Sequence, residues 1–257
     1  HDLYGPALLC SAQLAACCRL SLLSRAGIPK KLKQAGYQTH AFGKWHLGMN
    51  WVDVKKGKSD ELPIGARLTD GPNALGFDYF YGFTHARNIG GIIEQDRLVA
   101  HVKGIENQPL MIRKAIHYLD ERAKEDKPFF LYFPMCPPHS PIVPADKFVG
   151  KSSMQGKEGK YADWIYQGDD MLGQIMDALK RNGQDKNTLL IATGDNGAAG
   201  RSYEPLRDNK SSIYEGGHRE PFIARWPMKI KPGSMSSQVI CLNDLFATCA
   251  DLLGEDL

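Results

Sequence analysis

A lysine and a histidine separated by one residue follow a short run of strand-forming residues. The run covers 37–42 and leads into Gly43, where the backbone can turn, and then into Lys44 and His46. If the extended conformation continues, both side chains point to the same side of the chain and can face one ligand. The pair therefore predicts an anion-binding site. Taken alone, the segment also fits a surface loop in which the lysine is solvated and the histidine packs against Trp45.

Two further polar clusters follow segments that resemble buried strands. The proline-flanked His139 comes after the apolar run 129–133, and Asp195 with Asn196 comes after the run 188–193. A histidine between prolines is usually a rigid-loop residue and Asp-Asn-Gly is an ordinary turn, so each cluster alone is weak. In open α/β sheets, however, ligands bind beyond the carboxyl ends of the strands. The shared position predicts one common site.

The side chains of these clusters divide into two chemical groups. Asp195 and Asn196 offer hard oxygen ligands, which suit Ca²⁺ or Mg²⁺ and suit zinc poorly. The other group can hold a charged oxyanion and protonate a leaving oxygen. Its members are Lys44, His46, His139 and Lys210. By itself Lys210 also fits a solvated loop lysine.

Helix and strand patterns alternate along the chain. Periodicity and capping signals predict helices over 28–35, 109–124, 161–182 and 244–253, and buried strands over 37–42, 129–133, 188–193 and 221–226. We expect loops and short strands over 51–104, with 76–82 as an aromatic turn. This alternation predicts one α/β domain with a mostly parallel central sheet covered by helices on both faces.

Composition excludes several classes of partner. The 257 residues include 32 Lys plus Arg and 29 Asp plus Glu, a net charge of +3, which gives no reason to expect nucleic acid or an acidic membrane surface. We expect no membrane span, because no apolar run reaches roughly 18 residues. The six cysteines show no zinc-knuckle spacing and leave the compartment open.

The segment 36–48 resembles the second signature of the sulfatases. Other blocks are similar to that family's blocks and occur in the family's order: 76–82, 127–131, 138–141, 195–197 and 210–221, followed by Trp226-Pro227. Collinear agreement of this many blocks is far more specific than any single one. The resemblance covers about 28–254.

The resemblance implies an alkaline-phosphatase-type α/β sandwich that hydrolyses small-molecule or glycan sulfate esters. We expect residues 1–257 to form a single catalytic domain of this type, with 1–27 matching the family poorly and the family's C-terminal subdomain absent. By the matching positions, Lys44 and His46 would orient and assist the nucleophile. His139 and Lys210 would hold the sulfate, together with Lys44, and protonate the leaving alcohol.

The family's nucleophile is a cysteine oxidised to formylglycine, whose hydrated aldehyde attacks sulfur. The family presents this cysteine as Cys-x-Pro/Ala-x-Arg, and the nearest match begins at Cys10, with Leu14 in place of the arginine. Cys17 and Cys18 fit no better. Cys10 is therefore the candidate nucleophile, and we expect little or no sulfatase activity from this chain.

The same resemblance implies a divalent cation held in part by Asp195 and Asn196. The family's paired N-terminal aspartates have no counterpart before Cys10, where Asp2 is the one acidic residue. Two protein oxygen ligands are too few for tight Ca²⁺ binding. We therefore expect calcium, or magnesium in its place, to bind weakly or not at all.

Two other functions fit the same residues. One is a phosphoester or phosphonate hydrolase of the alkaline phosphatase superfamily. The other is a non-catalytic module that binds sulfated glycans through the four basic side chains, since these are present while the nucleophile motif is degenerate. Sulfatases are commonly exported, and this sequence shows no convincing signal of its own.

Overall fold

A computed structural model describes the backbone of residues 7–12 and, with their side chains, residues 27–52, 58–201 and 204–255. Asp2, Cys17 and Cys18, which entered the sequence argument, lie outside the described residues. Within the described ranges, no helix has the length and apolar character needed to cross a bilayer.

Eight strands form one sheet in the order β5-β4-β3-β2-β6-β1-β7-β8. Their bounds are Ala7–Ala12 (β1), Gln38–Lys44 (β2), Tyr79–Phe83 (β3), Gly91–Glu94 (β4), Arg97–His101 (β5), Phe129–Tyr132 (β6), Thr188–Thr193 (β7) and Phe222–Arg225 (β8). The five central strands, β3-β2-β6-β1-β7, are parallel, whereas β4, β5 and β8 pair antiparallel at the edges. The predicted mostly parallel sheet is confirmed.

Helices cover both faces of this sheet. They are Ile28–Gln34 (α1), Gly104–Arg122 (α2), Gly156–Arg181 (α3), Glu215–His218 (α4) and Asp244–Leu252 (α5). Successive strand residues point to opposite faces and enter two separate cores. Leu32 of α1 and Cys249 of α5 belong to one core, and Met111 of α2 and Trp164 of α3 belong to the other.

Two element predictions need correction. The aromatic block that was predicted to be a turn contains β3, which pairs in parallel with β2. The segment is extended and buried on both faces, since Phe80 packs into one core and Phe83 into the other. Helix α2 begins at Gly104, before Pro109, because the Glu106 carboxylate accepts a hydrogen bond from the Lys103 N–H at 2.8 Å and caps the helix there. Pro109 is thus the sixth residue of the helix and removes one backbone hydrogen-bond donor inside it.

Candidate active site

Lys44 is fixed by a close approach of three backbone segments at the end of β2. Gly43 has a φ of +126°, and a Cβ there would lie 2.4 Å from the carbonyl oxygen of Pro134. The Lys44 N–H donates to that same oxygen at 3.0 Å. Gly82 of β3 pairs with Gly43, and its own Cβ would lie 2.0 Å from the Gly43 carbonyl oxygen. Two glycines therefore hold Lys44 against the loop that follows β6, where its side chain is only 3% exposed.

The extended conformation does not continue from Lys44 to His46. His46 has a φ of +48°, and its N–H donates to the Thr84 carbonyl at 2.8 Å. Its ring lies edge-on to His85, with centroids 3.9 Å apart, while Trp45 is buried in the core. Partial burial lowers the pKa of His46 to about 4, and His85 and Lys44 add to this effect. His46 is therefore a neutral imidazole at neutral pH.

His139 is held in the loop after β6, where its N–H donates to the Cys136 carbonyl at 2.8 Å. Trp164 of α3 donates its indole N–H to the His139 carbonyl at 3.0 Å. The His139 Nδ1 lies 2.5 Å from the Ser140 carbonyl oxygen, and since a carbonyl can only accept, Nδ1 carries the hydrogen. Burial lowers the pKa of His139, and Lys44 and Lys210 add to this effect. Nε2 is thus the nitrogen that gains or loses a proton.

Asp195 and Lys210 reach the site from the loops after β7 and before α4. The Lys210 N–H donates to the Ala198 carbonyl at 3.3 Å, which ties the two loops together. Lys210 stands between Asp208 and Ser211, both of which have positive φ angles. Burial raises the pKa of Asp195, while the charges of Lys44, Lys210 and His139 act in the opposite direction.

A cavity of about 220 Å³ opens between these loops. Its walls include four of the predicted site residues, namely His139, Asp195, Asn196 and Lys210. Lys44 and His46 do not line the cavity. Of the charged groups that lower the pKa of Asp195, Lys44 has the largest effect. The structure therefore gathers the basic residues and the aspartate at the carboxyl end of the sheet.

Cys10 lies close to that edge, beside the last residue of β6 and two residues before the end of β1. It lies inside β1, opposite Tyr132 and Ile191, with Ser11 and Ala12 still to follow in the strand. Its side chain is outside the described atoms, so its role as nucleophile stays a prediction. Cys136 lies near Lys44 but is fully buried, and burial raises the pKa of its thiol to about 12. A protonated thiol is a poor nucleophile, so the unmodified Cys136 side chain is not suited to attack a substrate.

The oxygen atoms of Asp195 and Asn196 are of the chemical type that a hard cation prefers, but there are too few of them to hold one tightly. Asp195 and Asn196 supply carboxylate and amide oxygens, whereas Ca²⁺ takes about 6–8 oxygen ligands. Among the residues described here, no group of three or more His, Cys, Asp and Glu side chains is arranged to hold a metal ion. We therefore assign no chemical step to a cation, and weak calcium binding stays a prediction.

Sequence reasoning missed several residues near the site, among them His85 and Glu220. His85, in the loop after β3, contacts the His46 ring, and no motif signals it. Glu220 also lines the cavity, and its carboxylate packs against the Cα of Gly194, where a Cβ would lie 2.2 Å from an oxygen. Burial and the charge of Asp195 raise the pKa of Glu220. Glu220 lies after α4 in the block 210–221, in which only Lys210 was predicted to bind a ligand.

Comparison with known proteins identifies the family. The model of the Sulfatase family matches residues 15–255. N-acetylgalactosamine-6-sulfatase of Rattus norvegicus is 29% identical over 253 residues, which cover 88% of this chain and 44% of that protein. N-acetylgalactosamine-6-O-sulfatase of Bacteroides thetaiotaomicron is 30% identical, with 88% of this chain and 56% of that protein covered. This chain thus spans about half the length of these curated relatives.

Solved structures agree on the fold. The crystal structure of Ps i-CgsB in complex with k-i-k-neocarrahexaose superimposes with a TM-score of 0.79 at 22% identity, covering 99% of this chain and 73% of that one. The α/β sandwich with its mostly parallel sheet is the alkaline-phosphatase-like fold that the resemblance implied. Since the family model covers nearly the whole chain and the structural neighbours share its architecture, the chain belongs to the sulfatase family.

Proposed function

We propose that this chain binds sulfate esters at the carboxyl end of its sheet, in a site of the sulfuric ester hydrolase type. The observation that carries the proposal is the convergence of Lys44, His139 and Lys210 around Asp195, from segments far apart in sequence. Two ammonium groups and a histidine form a donor set for an oxyanion.

Burial explains why this set favours an anion. The ammonium of Lys44 is almost fully removed from water, and burial lowers its pKa. A buried charge is stable only with compensating partners. Asp195 supplies one negative partner for Lys44. The nearby ammonium of Lys210 lowers the pKa of Lys44 further, because the two positive charges repel each other. A bound sulfate group would neutralise this excess positive charge.

His139 is placed to move a proton. Because Nδ1 donates to the Ser140 carbonyl, Nε2 can accept a proton and pass it to the oxygen of a leaving alcohol. A bound sulfate group stabilises the protonated ring. We propose His139 as general acid and Lys44, His139 and Lys210 as the sulfate-binding residues. His46, which does not line the cavity, would assist the nucleophile.

The remaining roles follow the family pattern. We propose that Asp195 and Asn196 contribute ligands to a Ca²⁺ or Mg²⁺ ion, which when bound would neutralise charge on the sulfate group. We propose Cys10, converted to formylglycine, as the nucleophile if the chain is active. The curated relatives above are named for N-acetylgalactosamine 6-sulfate, and we propose this sugar sulfate as the first ligand to test.

A non-catalytic role in binding sulfated glycans is the second candidate. The sequence that follows Cys10 supports it, because Leu14 stands where the family places an arginine, while Lys44, His139 and Lys210 are all present. In that case sulfate binding persists without hydrolysis.

The test is titration calorimetry of the purified chain with N-acetylgalactosamine 6-sulfate. Lys210→Met should weaken binding by about tenfold or more, because it removes a charge-assisted contact. Lys229→Met is the matched control, since Lys229 is exposed and follows β8 at the opposite end of the sheet. Equal affinities for the two variants, or no binding by the wild-type chain, would overturn the proposal.

Assays of turnover separate the candidates. Release of sulfate from the sugar, together with an aldehyde in place of a cysteine by mass spectrometry, identifies a sulfatase. Binding without release identifies a binding module. Faster release from p-nitrophenyl phosphate than from p-nitrophenyl sulfate, without the aldehyde, identifies a phosphoester hydrolase.

A further inference from the structure

One wall of the cavity is built from an arginine and a tyrosine that the sulfate-binding proposal does not use. The guanidinium carbon of Arg201 lies 3.7 Å from the centre of the Tyr161 ring, and both residues line the cavity that also holds Lys210 and His139. Tyr161 is in α3, whereas Arg201 is in the loop after β7. The stack gives the guanidinium a fixed plane at the side of the cavity.

The hydrogen-bonding capacity of Arg201 is only partly used. Its Nη2 lies 3.3 Å from both carboxylate oxygens of Glu158, at the start of α3. Its Nε is buried and has no hydrogen-bond partner within the described part of the chain. The Glu158 side chain is 57% exposed. An exposed ion pair of this length contributes little, so an incoming anion can replace Glu158.

We infer that Arg201 and Tyr161 form a second anion subsite, which binds a carboxylate or a second sulfate on the sugar that carries the scissile sulfate, or on its neighbour. This inference rests on the proposed function and names its substrate class as glycan units with two acidic groups. The planar guanidinium binds such groups through paired hydrogen bonds. The Tyr161 ring gives the sugar an apolar surface beside them.

The test compares two monosaccharides that differ only in a second sulfate, and adds a disaccharide whose second acidic group is a uronate. The probes are galactose 6-sulfate, galactose 2,6-disulfate, and a disaccharide that carries one sulfate and one uronate. Calorimetry should show the wild-type chain binding the disulfate about tenfold more tightly than the monosulfate. The uronate probe distinguishes the two sources of the second charge, since the subsite accepts it only if a carboxylate also fits.

Arg201→Met should remove this preference and leave the affinity for the monosulfate within about twofold. Glu158→Gln should strengthen disulfate binding by about two- to threefold, because it removes the competing carboxylate. Arg207→Met is the matched control, since Arg207 stacks on Tyr214 at 3.5 Å in the same loop region but does not line the cavity. It should change neither affinity, and circular dichroism confirms that each variant is folded.

The outcomes separate the two proposals. If the wild-type chain binds the monosulfate but shows no preference for a second acidic group, or if the preference survives in Arg201→Met, the subsite is wrong and the sulfate site stands. Should Arg201→Met not fold, an unchanged affinity in Glu158→Gln overturns the subsite. If no sulfated probe binds, the proposed function fails and the subsite fails with it.

Discussion

At the scale of single residues, removal from water sets the chemistry of the site. Burial is the largest cause of the lowered pKa of Lys44, His46, His85 and His139. The three imidazoles are therefore neutral near pH 7 in the free protein, and the positive charge is carried by the lysines. An anion that binds beside them changes this balance, because it stabilises the protonated rings.

Binding of a sulfate ester should strengthen as the pH falls from about 7.5 to 5.5. The pKa of His139 lies below its usual 6.5 in the free protein, and a bound anion raises it, so binding takes up a proton over this range. Calorimetry in buffers of different ionisation enthalpy measures that uptake.

His139→Gln should flatten this pH dependence, and His117→Gln, which alters an exposed histidine of α2, should leave it as in the wild type. His46, with a pKa of about 4, contributes mainly below pH 5. A pH dependence that is unchanged in His139→Gln would show that another group takes up the proton.

At the scale of elements, the site depends on how β2, β3 and the loop after β6 pack. A rule about strand ends was enough to predict that the segments around Lys44, His139 and Asp195 meet, because parallel strands share one carboxyl edge. The approach of Gly43 to Pro134 and the left-handed conformation of His46 were not predictable, since both depend on contacts with distant segments. The same holds for His85 and Glu220, which reach the site from loops without a local signal.

Gly43→Ala should destabilise the protein by about 2 kcal/mol or more and abolish binding of the sulfate ester. Its φ of +126° is unfavourable for any residue with a Cβ, and that Cβ would collide with the Pro134 carbonyl. Denaturant unfolding and calorimetry measure the two effects.

Gly36→Ala is the control for backbone strain without a collision. Gly36 has a φ of +89° and no atom within 4 Å of an added Cβ, and it precedes β2 at the opposite end from Lys44. We expect a loss of about 1 kcal/mol with binding retained. If Gly43→Ala loses no more stability than Gly36→Ala, the close approach does not constrain Lys44.

At the scale of the whole molecule, a partly buried histidine outside the site links stability to pH. His40 of β2 stacks on Tyr118 with ring centroids 4.0 Å apart, and its Nδ1 is buried without a hydrogen-bond partner in the described structure. Burial, assisted by Arg122, lowers the pKa of His40 to about 4. Below pH 6.5 the unfolded chain protonates this ring while the folded chain does not, so stability falls as the pH falls towards 4.

The free energy of unfolding should therefore fall by about 2 kcal/mol between pH 7 and 5 through His40 alone. His40→Phe keeps the stacked ring and should remove this part of the decrease. Urea unfolding at the two pH values measures it. A decrease of the same size in His40→Phe would assign the acid sensitivity to other groups.

The strand order also has a consequence for synthesis of the chain. β1 lies between β6 and β7, so its parallel partners are made only when 129–132 and 188–193 have left the ribosome. Until then the nascent polypeptide carries the largely apolar segment Ala7–Ala12 with neither neighbour to pair with. Pairings this distant in sequence form late and slowly, so this segment is exposed to aggregation until they form.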